Sequence, residues 1–393
     1  MKKNISINLS WVSFKSLHPI LKNLYKKIEE RYTVKYINKW IDISKVEIPK
    51  LQKNKWIKKN IYYIYSVINN FIPRFNIIIW KHKNILTANN FLLTKNDYKI
   101  ITSSLIQFSW LKTKPLYNII FKKIFKYFLL QKNLKKIIFY SKTAYDEFIK
   151  YCIEELKLDK KDFIFKLGVL YPLLKDKNLI LEEEIIKKFN FKKTSFLFIA
   201  RSFLWKWWYE LVNALESINE FYKEYKNSFE INIISEIPKK YKKKLLKLKK
   251  DWLNINLYWI DFNQDELENN FYKKNHILLH LTRADLFWMV SLESKKNWLA
   301  VITTDQYVNK ELFKQNEALF IKIDKKYIWN DWLPRIDYET IWNLEKEVLS
   351  INEIVEKIIF CITNKEKVKK LAIYNFLSIN RFINKEEKID ELF

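Results

Sequence analysis

One segment in the second half of the chain carries residues suited to binding an anion. Phe196–Ala200 predicts a buried strand, and Arg201 and Lys206 follow it in a turn. The next residues, Tyr209–Leu215, predict a helix. The two cations and the free backbone amides at the start of this helix would face the same ligand, which favours phosphate. The alternative is a pair of solvated surface cations, and this segment alone does not decide between them.

A second segment carries two carboxylates. Asp285 follows the predicted strand Ile277–Leu281 in a turn that begins at Thr282, and Glu293 lies eight residues later on the next predicted helix. Both can approach one ligand if the turn folds back over it, and carboxylates accept hydrogen bonds from sugar hydroxyls. Backbone amides at this helix start suit phosphate or a developing charge; they belong to Phe287, Trp288 and Met289. The alternative makes Asp285 an N-cap and Glu293 a solvated residue.

Short apolar stretches alternate with amphipathic ones twice along the chain, which predicts an α/β protein with two parallel sheets. The predicted strands of the first half are Ile5–Leu9, Val34–Ile37, Asn76–Trp80, Lys99–Ser103 and Ile137–Ser141, with helices at His18–Arg31 and Thr143–Leu156. Those of the second half are Phe196–Ala200, Glu230–Ile234, Ile255–Trp259, Ile277–Leu281 and Ala300–Thr303. Open parallel sheets bind ligands at the carboxyl ends of their strands, so we expect the site in a crevice between two domains.

The same alternation divides the chain into four parts. We expect an N-terminal Rossmann-like domain over residues 1–171, a charged linker over 172–193, a second Rossmann-like domain over 194–350 and a helical segment over 351–393.

Glycine is nearly absent, with one residue against fifteen tryptophans. Glycine is the usual residue at positive φ and where a backbone approaches a ligand. Several tryptophans stand in such places: Trp205, Trp207 and Trp208 around Lys206, and Trp40, Trp110, Trp298 and Trp329 among loop residues. Our hypothesis is that most tryptophans stand where the cell inserts glycine, through a stop codon reassigned to glycine. The alternative is a protein that is rich in tryptophan.

The formal net charge of +28 is typical of proteins that bind nucleic acid or anionic membranes. Only six of the 72 basic residues are arginine, and the abundance of lysine, isoleucine and asparagine is what AT-rich coding produces. Because base readout favours arginine, nucleic acid is not the expected partner. Peripheral contact with an anionic membrane stays open for the basic aromatic stretch Tyr117–Phe139; an ordinary core-facing helix with a lysine-rich outer face is the alternative.

The cysteines and histidines do not indicate a metal site or a disulfide framework. Cys152 and Cys361 lie in apolar stretches, and no His, Cys or Asp cluster has ligand spacing. His276 and His280 flank a predicted strand and are interpreted as structural. No apolar run reaches the length needed to span a bilayer. We expect a cytoplasmic protein. A peripheral location at the inner face of the membrane stays open as an alternative.

With glycine read at the tryptophan positions, Ile137 to Thr304 resembles the GT-B glycosyltransferases of family 4. Phe198-Ile-Ala-Arg201 with Lys206-Trp207 looks like the family's strand, arginine and lysine-glycine signature. The segment from Leu257-Tyr-Trp259 to Leu267 is similar to the strand, glycine and short helix that border the nucleobase, and Thr282 to Glu293 is similar to the paired-carboxylate motif. Lys166-Leu-Gly168-Val169 resembles the approach to the interdomain linker.

This resemblance implies a retaining, nucleotide-sugar-dependent transferase with two Rossmann-like domains and a C-terminal helix that returns to the N-terminal domain. Arg201 and Lys206 would bind the donor diphosphate, and Glu293 the ribose hydroxyls. Asp285, near the donor sugar, stands where the family usually has glutamate, and its shorter reach bears on that contact. The remaining donor-site positions are Trp259, Thr282, Phe287, Trp288 and Met289. The donor would be a nucleoside-diphosphate sugar, the acceptor a glycan or a lipid-linked glycan, and neither a metal nor another cofactor is implied.

Two other functions remain as alternatives. A basic nucleic-acid-binding protein would bind with a steep salt dependence and would not respond to nucleoside diphosphates. The second alternative is a GT-B protein that has lost catalysis. Asp285, in place of the family's usual glutamate, is the one residue that indicates it.

Overall fold

The computed structural model describes residues 4–8, 19–37, 75–78, 82, 84–103, 105–108, 118–172, 182–202, 208–251, 253–259, 262–282, 289–305, 307–323, 328–329, 333–334 and 349–382. The chain forms two compact units, which come from Met1–Leu173 and Leu174–Ile383. Among the described helices, none combines the length and the apolar character that crossing a membrane requires.

The first unit contains a six-stranded parallel sheet. Its strands are β1 (Asn4–Asn8), β2 (Thr33–Ile37), β4 (Ile85–Ala88), β6 (Tyr98–Thr102), β7 (Leu134–Phe139) and β8 (Leu167–Val169), in the order β2-β1-β4-β6-β7-β8. A separate parallel pair is formed by β3 (Phe75–Ile77) and β5 (Phe91–Leu93). The described helices are α1 (Pro19–Arg31), α2 (Ile119–Leu130) and α3 (Lys142–Glu154).

Local sequence explains where two of these helices begin. The Asn118 side chain accepts hydrogen bonds from the amides of Ile120 and Phe121, so it caps α2. Ser141 accepts from the amide of Ala144 at 2.9 Å and caps α3. Buried aromatic rings of both helices pack in one cluster with Phe91 of β5 and with Phe108; these rings are Phe125 and Phe128 of α2 and Phe148 of α3.

The second unit repeats the plan with a sheet in the order β11-β10-β9-β12-β13-β14. All six strands are parallel: β9 (Thr194–Ser202), β10 (Phe229–Glu236), β11 (Ile255–Tyr258), β12 (Ile277–His280), β13 (Ala300–Thr304) and β14 (Leu319–Ile321). Its helices are α4 (Glu182–Phe189), α5 (Trp208–Phe221), α6 (Lys239–Lys250), α7 (Gln264–Leu267), α8 (Met289–Lys296), α9 (Tyr307–Leu312), α10 (Ile351–Thr363) and α11 (Lys365–Leu377). A short antiparallel pair joins β15 (Ile328–Trp329) and β16 (Leu333–Pro334).

The predicted alternation of strands and helices is confirmed in both sheets, with differences at particular segments. Asn76–Trp80 corresponds to β3, which pairs with β5 outside the main sheet, and its last two residues lie outside the described ranges. The strands β4, β8 and β14 were not predicted, because stretches of three or four apolar residues do not show a period. Within the expected linker 172–193, α4 buries Ile185 and Phe189 in the core of the second unit.

The C-terminal helices α10 and α11 pack into the core of the second unit through residues such as Ile354, Ile358 and Phe376. The described part of the segment 351–393, which ends at Phe382, therefore belongs to that core. The remaining residues, 383–393, lie outside the described ranges, so the expected return to the N-terminal domain stays a prediction.

One tryptophan occupies a backbone position where glycine is the usual residue. Trp298 has a φ of 57° directly after α8. The amide of Leu299 donates to the Ser294 carbonyl and the amide of Trp298 to the Lys295 carbonyl, which is the Schellman motif that most often carries glycine at this position. The buried indole stacks on Phe376 at 3.6 Å between ring centroids, and its Nε1 has no hydrogen-bond partner among the described residues.

We expect glycine to be more stabilising than alanine at position 298. Trp298→Gly and Trp298→Ala both remove the indole, so they differ in the β-carbon that opposes a positive φ. The free energy of unfolding of the full chain, from urea titration, should be higher for the glycine variant by about 1 kcal/mol. Equal stabilities, or a more stable alanine variant, would contradict a left-handed backbone at this position.

Candidate active site

The strand order of the second sheet places a topological switch point between β9 and β12. From β9 the chain runs outward to β10 and β11, and then returns to the other side of β9 with β12. Ligands of open α/β sheets bind at the carboxyl ends of the strands at such a point. Arg201 lies at the carboxyl end of β9, and Thr282 follows β12 by two residues. Both predicted motifs therefore begin at the switch point.

The structure describes only part of the predicted set. Arg201 is described through its backbone in β9 and not through its side chain. Lys206, Asp285, Phe287 and Trp288 lie outside the described residues, so their roles stay predictions.

Three other predicted residues lie around the edge of the sheet. Thr282 is buried, and its carbonyl accepts a hydrogen bond from the Thr304 hydroxyl at 3.1 Å. Met289 opens α8 with a buried side chain. Trp259 follows β11 and is exposed, beside an aromatic cluster of Tyr258, Phe262 and Phe271. An exposed ring next to this edge is available for stacking.

Glu293 is the predicted site residue whose surroundings are described most completely. The Tyr272 hydroxyl donates to its Oε2 at 2.8 Å, and the Gln264 side-chain amide donates to its Oε1 at 3.0 Å. Its side chain remains partly exposed. The alternative in which Glu293 is a solvated helix residue is therefore wrong. Two uncharged donors from another segment fix the orientation of its carboxylate.

The environment of Glu293 also changes its acidity. Burial raises the pKa of its carboxyl to about 7, and the nearby Glu268 acts in the same direction. The hydrogen bonds from Tyr272 and Gln264 and the charge of Lys296 partly oppose this increase. The carboxyl consequently titrates near neutral pH, where a change in its surroundings has a large effect on its charge.

Sequence analysis missed the two residues that hold Glu293. Asn263 and Glu266 form a capping box at the start of α7, and the helix continues as a π-helical turn over Glu268–Tyr272. Gln264, Glu268 and Tyr272 are spaced by four residues, which places them on one side of a helix. The capping box was the available signal, because it predicts the start of a helix. In a helix, the four-residue spacing of Gln264, Glu268 and Tyr272 places their side chains on one face.

The helix α8 is held by ion pairs on two sides. Lys296 Nζ lies 3.0 Å from both carboxylate oxygens of Glu268. Lys295 is fully buried, and its Nζ donates to Asn375 at 2.7 Å and lies 3.3 Å from Glu317. Among the described residues, no group of three or more His, Cys, Asp or Glu side chains is arranged to hold a metal ion.

The two histidines near the sheet make structural contacts, as predicted. His280 Nδ1 lies 2.8 Å from the Ser291 hydroxyl, so it joins β12 to α8. His276 Nδ1 lies 2.7 Å from the Ser195 hydroxyl, and its ring stacks on Phe191. Burial lowers the pKa of His276 to about 3, which keeps this imidazole neutral.

Comparison with known proteins shows the fold. No protein-family model and no curated protein sequence matches the chain. Sucrose-phosphate synthase from Thermosynechococcus elongatus is 11% identical, with a TM-score of 0.60 over 100% of this chain and 97% of that chain. HepE from Anabaena, solved in complex with UDP-glucose, is 11% identical with a TM-score of 0.56, over 100% and 98% of the two chains. A glycosyltransferase from Rickettsia africae is 14% identical with a TM-score of 0.53, over 99% and 96%.

These similarities extend over the described parts of both units and confirm the predicted fold class. The chain is an α/β protein with the GT-B fold, in which each unit is built on a six-stranded parallel sheet.

The raised pKa of Glu293 predicts a pH dependence of stability. Below pH 4.5 the carboxyl is protonated in both the folded and the unfolded chain, and between 4.5 and about 7 it stays protonated only in the folded one. The unfolded state then binds fewer protons, so the stability of the wild type relative to Glu293→Gln should fall as the pH rises through this window. Urea titrations of both proteins across the window measure the difference; a constant difference would contradict the raised pKa.

Proposed function

We propose that this protein is a glycosyltransferase that uses a nucleoside-diphosphate sugar. The observation that carries the proposal is the Glu293 carboxylate, which two hydrogen-bond donors orient and which lies on α8, the helix after strand β12 of the switch point. A carboxylate offers about four lone-pair sites, and Tyr272 and Gln264 occupy one on each oxygen. The sites that remain are matched to a pair of adjacent hydroxyls, as on a ribose.

The other donor contacts belong to the same proposal. Arg201 and Lys206 bind the diphosphate and, in place of a metal ion, stabilise the leaving group electrostatically. Phe287, Trp288 and Met289 contribute backbone amides, and Asp285 contacts the donor sugar. Trp259 lies near the nucleobase, and Thr282 belongs to the donor site through the paired-carboxylate motif. Support comes from the positions of two of these residues, since Arg201 lies at the carboxyl end of β9 and Thr282 follows the neighbouring strand β12 by two residues.

The outcome of the reaction is also proposed. The sugar is transferred with retention of its anomeric configuration, as in family 4, to a glycan or lipid-linked acceptor of the cell envelope. The acceptor binds the domain over residues 1–171 and the donor the domain over 194–350. The protein works in the cytoplasm at the inner face of the membrane, and no nucleic acid takes part.

The reassigned glycine codon is part of this account. Trp298 lies in a Schellman motif at positive φ, where glycine is the usual residue, and this supports glycine in the protein that the cell makes. Peptide mass spectrometry of protein from its native cells should find glycine at position 298, and tryptophan there would contradict the reassignment.

Nucleoside diphosphates should bind through Lys206. In isothermal titration calorimetry with a panel of nucleoside diphosphates, Lys206→Ala should weaken the best ligand by about 10- to 100-fold, because a charge-assisted contact is lost. Lys243→Ala, an exposed lysine on α6, is the control and should bind as the wild type does. Equal affinity of all three proteins would contradict the proposal. Binding of oligonucleotides with a steep salt dependence, and of no diphosphate, would favour the nucleic-acid alternative.

Tyr272 should act on donor binding through Glu293. Tyr272→Phe removes a hydrogen bond that favours the carboxylate, so the pKa of Glu293 should increase further. We expect the KM for the donor to rise near pH 7 and to recover at higher pH, while kcat changes little. Tyr374→Phe, the same change at an exposed position of α11, is the control. An unshifted pH profile would show that the Tyr272 hydroxyl does not position Glu293.

A further inference from the structure

The helix α2 of the first unit is apolar on its outer face as well as on its inner face. Phe121, Phe125, Phe128 and Leu129 are buried against the unit. On the other side, the side chains of Ile119, Ile120, Tyr127 and Leu130 are 71%, 52%, 61% and 40% exposed. Their spacing places them along one stripe of the helix, together with Lys123 and Lys126. Four large apolar residues on one exposed stripe mark an interaction surface.

The charged residues of α2 itself are all lysines. From Tyr98 to Tyr145 the sequence contains ten lysines and no aspartate or glutamate. Lys122, at the edge of the stripe, is paired at 2.7 Å with Glu155, which directly follows α3. Among the described residues, Lys123 and Lys126 have no ion-pair partner. The stripe therefore offers unpaired cations beside exposed apolar side chains.

A further exposed ring lies near the end of α2. Lys166 Nζ donates to the carbonyls of Leu129 and Gln131 at 2.9 and 2.8 Å, so it caps the C-terminal end of this helix. The preceding residue, Phe165, is exposed, and its ring centroid lies 5.9 Å from the same Nζ. Phe165 thus adds an exposed ring near the C-terminal end of α2.

We infer that the outer stripe of α2 docks on an anionic lipid bilayer. The helix would lie in the plane of the interface, with Ile119, Ile120, Tyr127 and Leu130 among the acyl chains and Lys123 and Lys126 at the anionic headgroups. Each lysine near an anionic membrane surface adds binding free energy, and the exposed apolar side chains add a term that does not depend on salt. This inference does not depend on the proposed glycosyl transfer.

The same observations disfavour other occupants of the surface. A second copy of the chain would bring lysine against lysine, because the stripe contains Lys123 and Lys126 and no acidic residue. The phosphates of a nucleic acid would pair with the lysines, but the exposed aliphatic side chains would not be buried against its charged backbone. The helix α6 offers a comparison: it carries eight lysines, and Leu246, 42% exposed, is its one exposed apolar residue.

Vesicle co-sedimentation of the full chain tests the inference with matched variants. Ile119→Ser with Ile120→Ser removes apolar surface without a change in charge, in the first turn of α2 where serine is tolerated. Lys123→Gln with Lys126→Gln removes two charges from the stripe. Lys243→Gln with Lys247→Gln removes two charges from exposed positions of α6 and is the control. Unfolding midpoints confirm that each variant is folded.

We expect the wild type to bind vesicles that contain phosphatidylglycerol and not vesicles of phosphatidylcholine alone. Each pair of α2 substitutions should weaken this binding by about tenfold or more, and the α6 pair by less than about twofold. The inference is wrong if the wild type does not bind phosphatidylglycerol, if the α2 variants bind as the wild type does, or if the α6 pair loses as much. It is also wrong if the isoleucine variants dissociate an oligomer in size-exclusion chromatography and keep their vesicle binding, which would make a second copy the occupant. Should the serine pair fail to fold, the two glutamine pairs decide.

Discussion

The position of one short helix, α8, is the constraint on which the candidate site depends. Lys295 is buried without access to water, and a buried cation is costly unless it is paired and hydrogen-bonded. Glu317, Asn375 and Ser378 satisfy it, and Glu317 also pairs with Arg381 beyond α11. The next residue, Lys296, is paired with Glu268 on the opposite flank. Because α8 is attached on both sides, Glu293 stays opposite Tyr272 and Gln264.

This arrangement also accounts for the chemistry that we assign to Glu293. Burial disfavours the charged carboxylate, while the two donors and Lys296 favour it, so the group titrates close to neutrality. A carboxylate in this balance gains from each further hydrogen bond that it accepts. Hydroxyl groups of a ligand would supply such bonds and would stabilise the ionised form. The proposed donor site and the stability of the second unit are thereby linked through one titrating group.

The sequence predicted most of the fold, because the fold rests on local patterns. Apolar strands such as Phe196–Ala200 and Ala300–Thr303 stand out against charged helices, and the residues after a strand necessarily lie at its carboxyl end. The contacts of Glu293 were not predictable in this way, because Gln264 and Tyr272 are 29 and 21 residues distant in the sequence. The burial of Lys295 was equally hidden, since a chain with 72 basic residues gives no sign that one lysine lies in the core. In the expected linker, the many charged residues obscured the apolar positions Ile185 and Phe189, which α4 buries in the core.

The central claim is that the Glu293 carboxylate accepts hydrogen bonds from the ribose hydroxyls of a nucleoside diphosphate. A double-mutant cycle tests this claim most directly. Calorimetry would compare the best-binding nucleoside diphosphate with its 2′-deoxy form, for the wild type and for Glu293→Gln. We expect loss of the hydroxyl to weaken binding to the wild type by about tenfold more than binding to the variant, because a hydrogen bond to a charged group contributes about 1.5 to 3 kcal/mol. An equal loss for both proteins would show that the carboxylate does not contact the ribose, and the assignment of this site would be wrong.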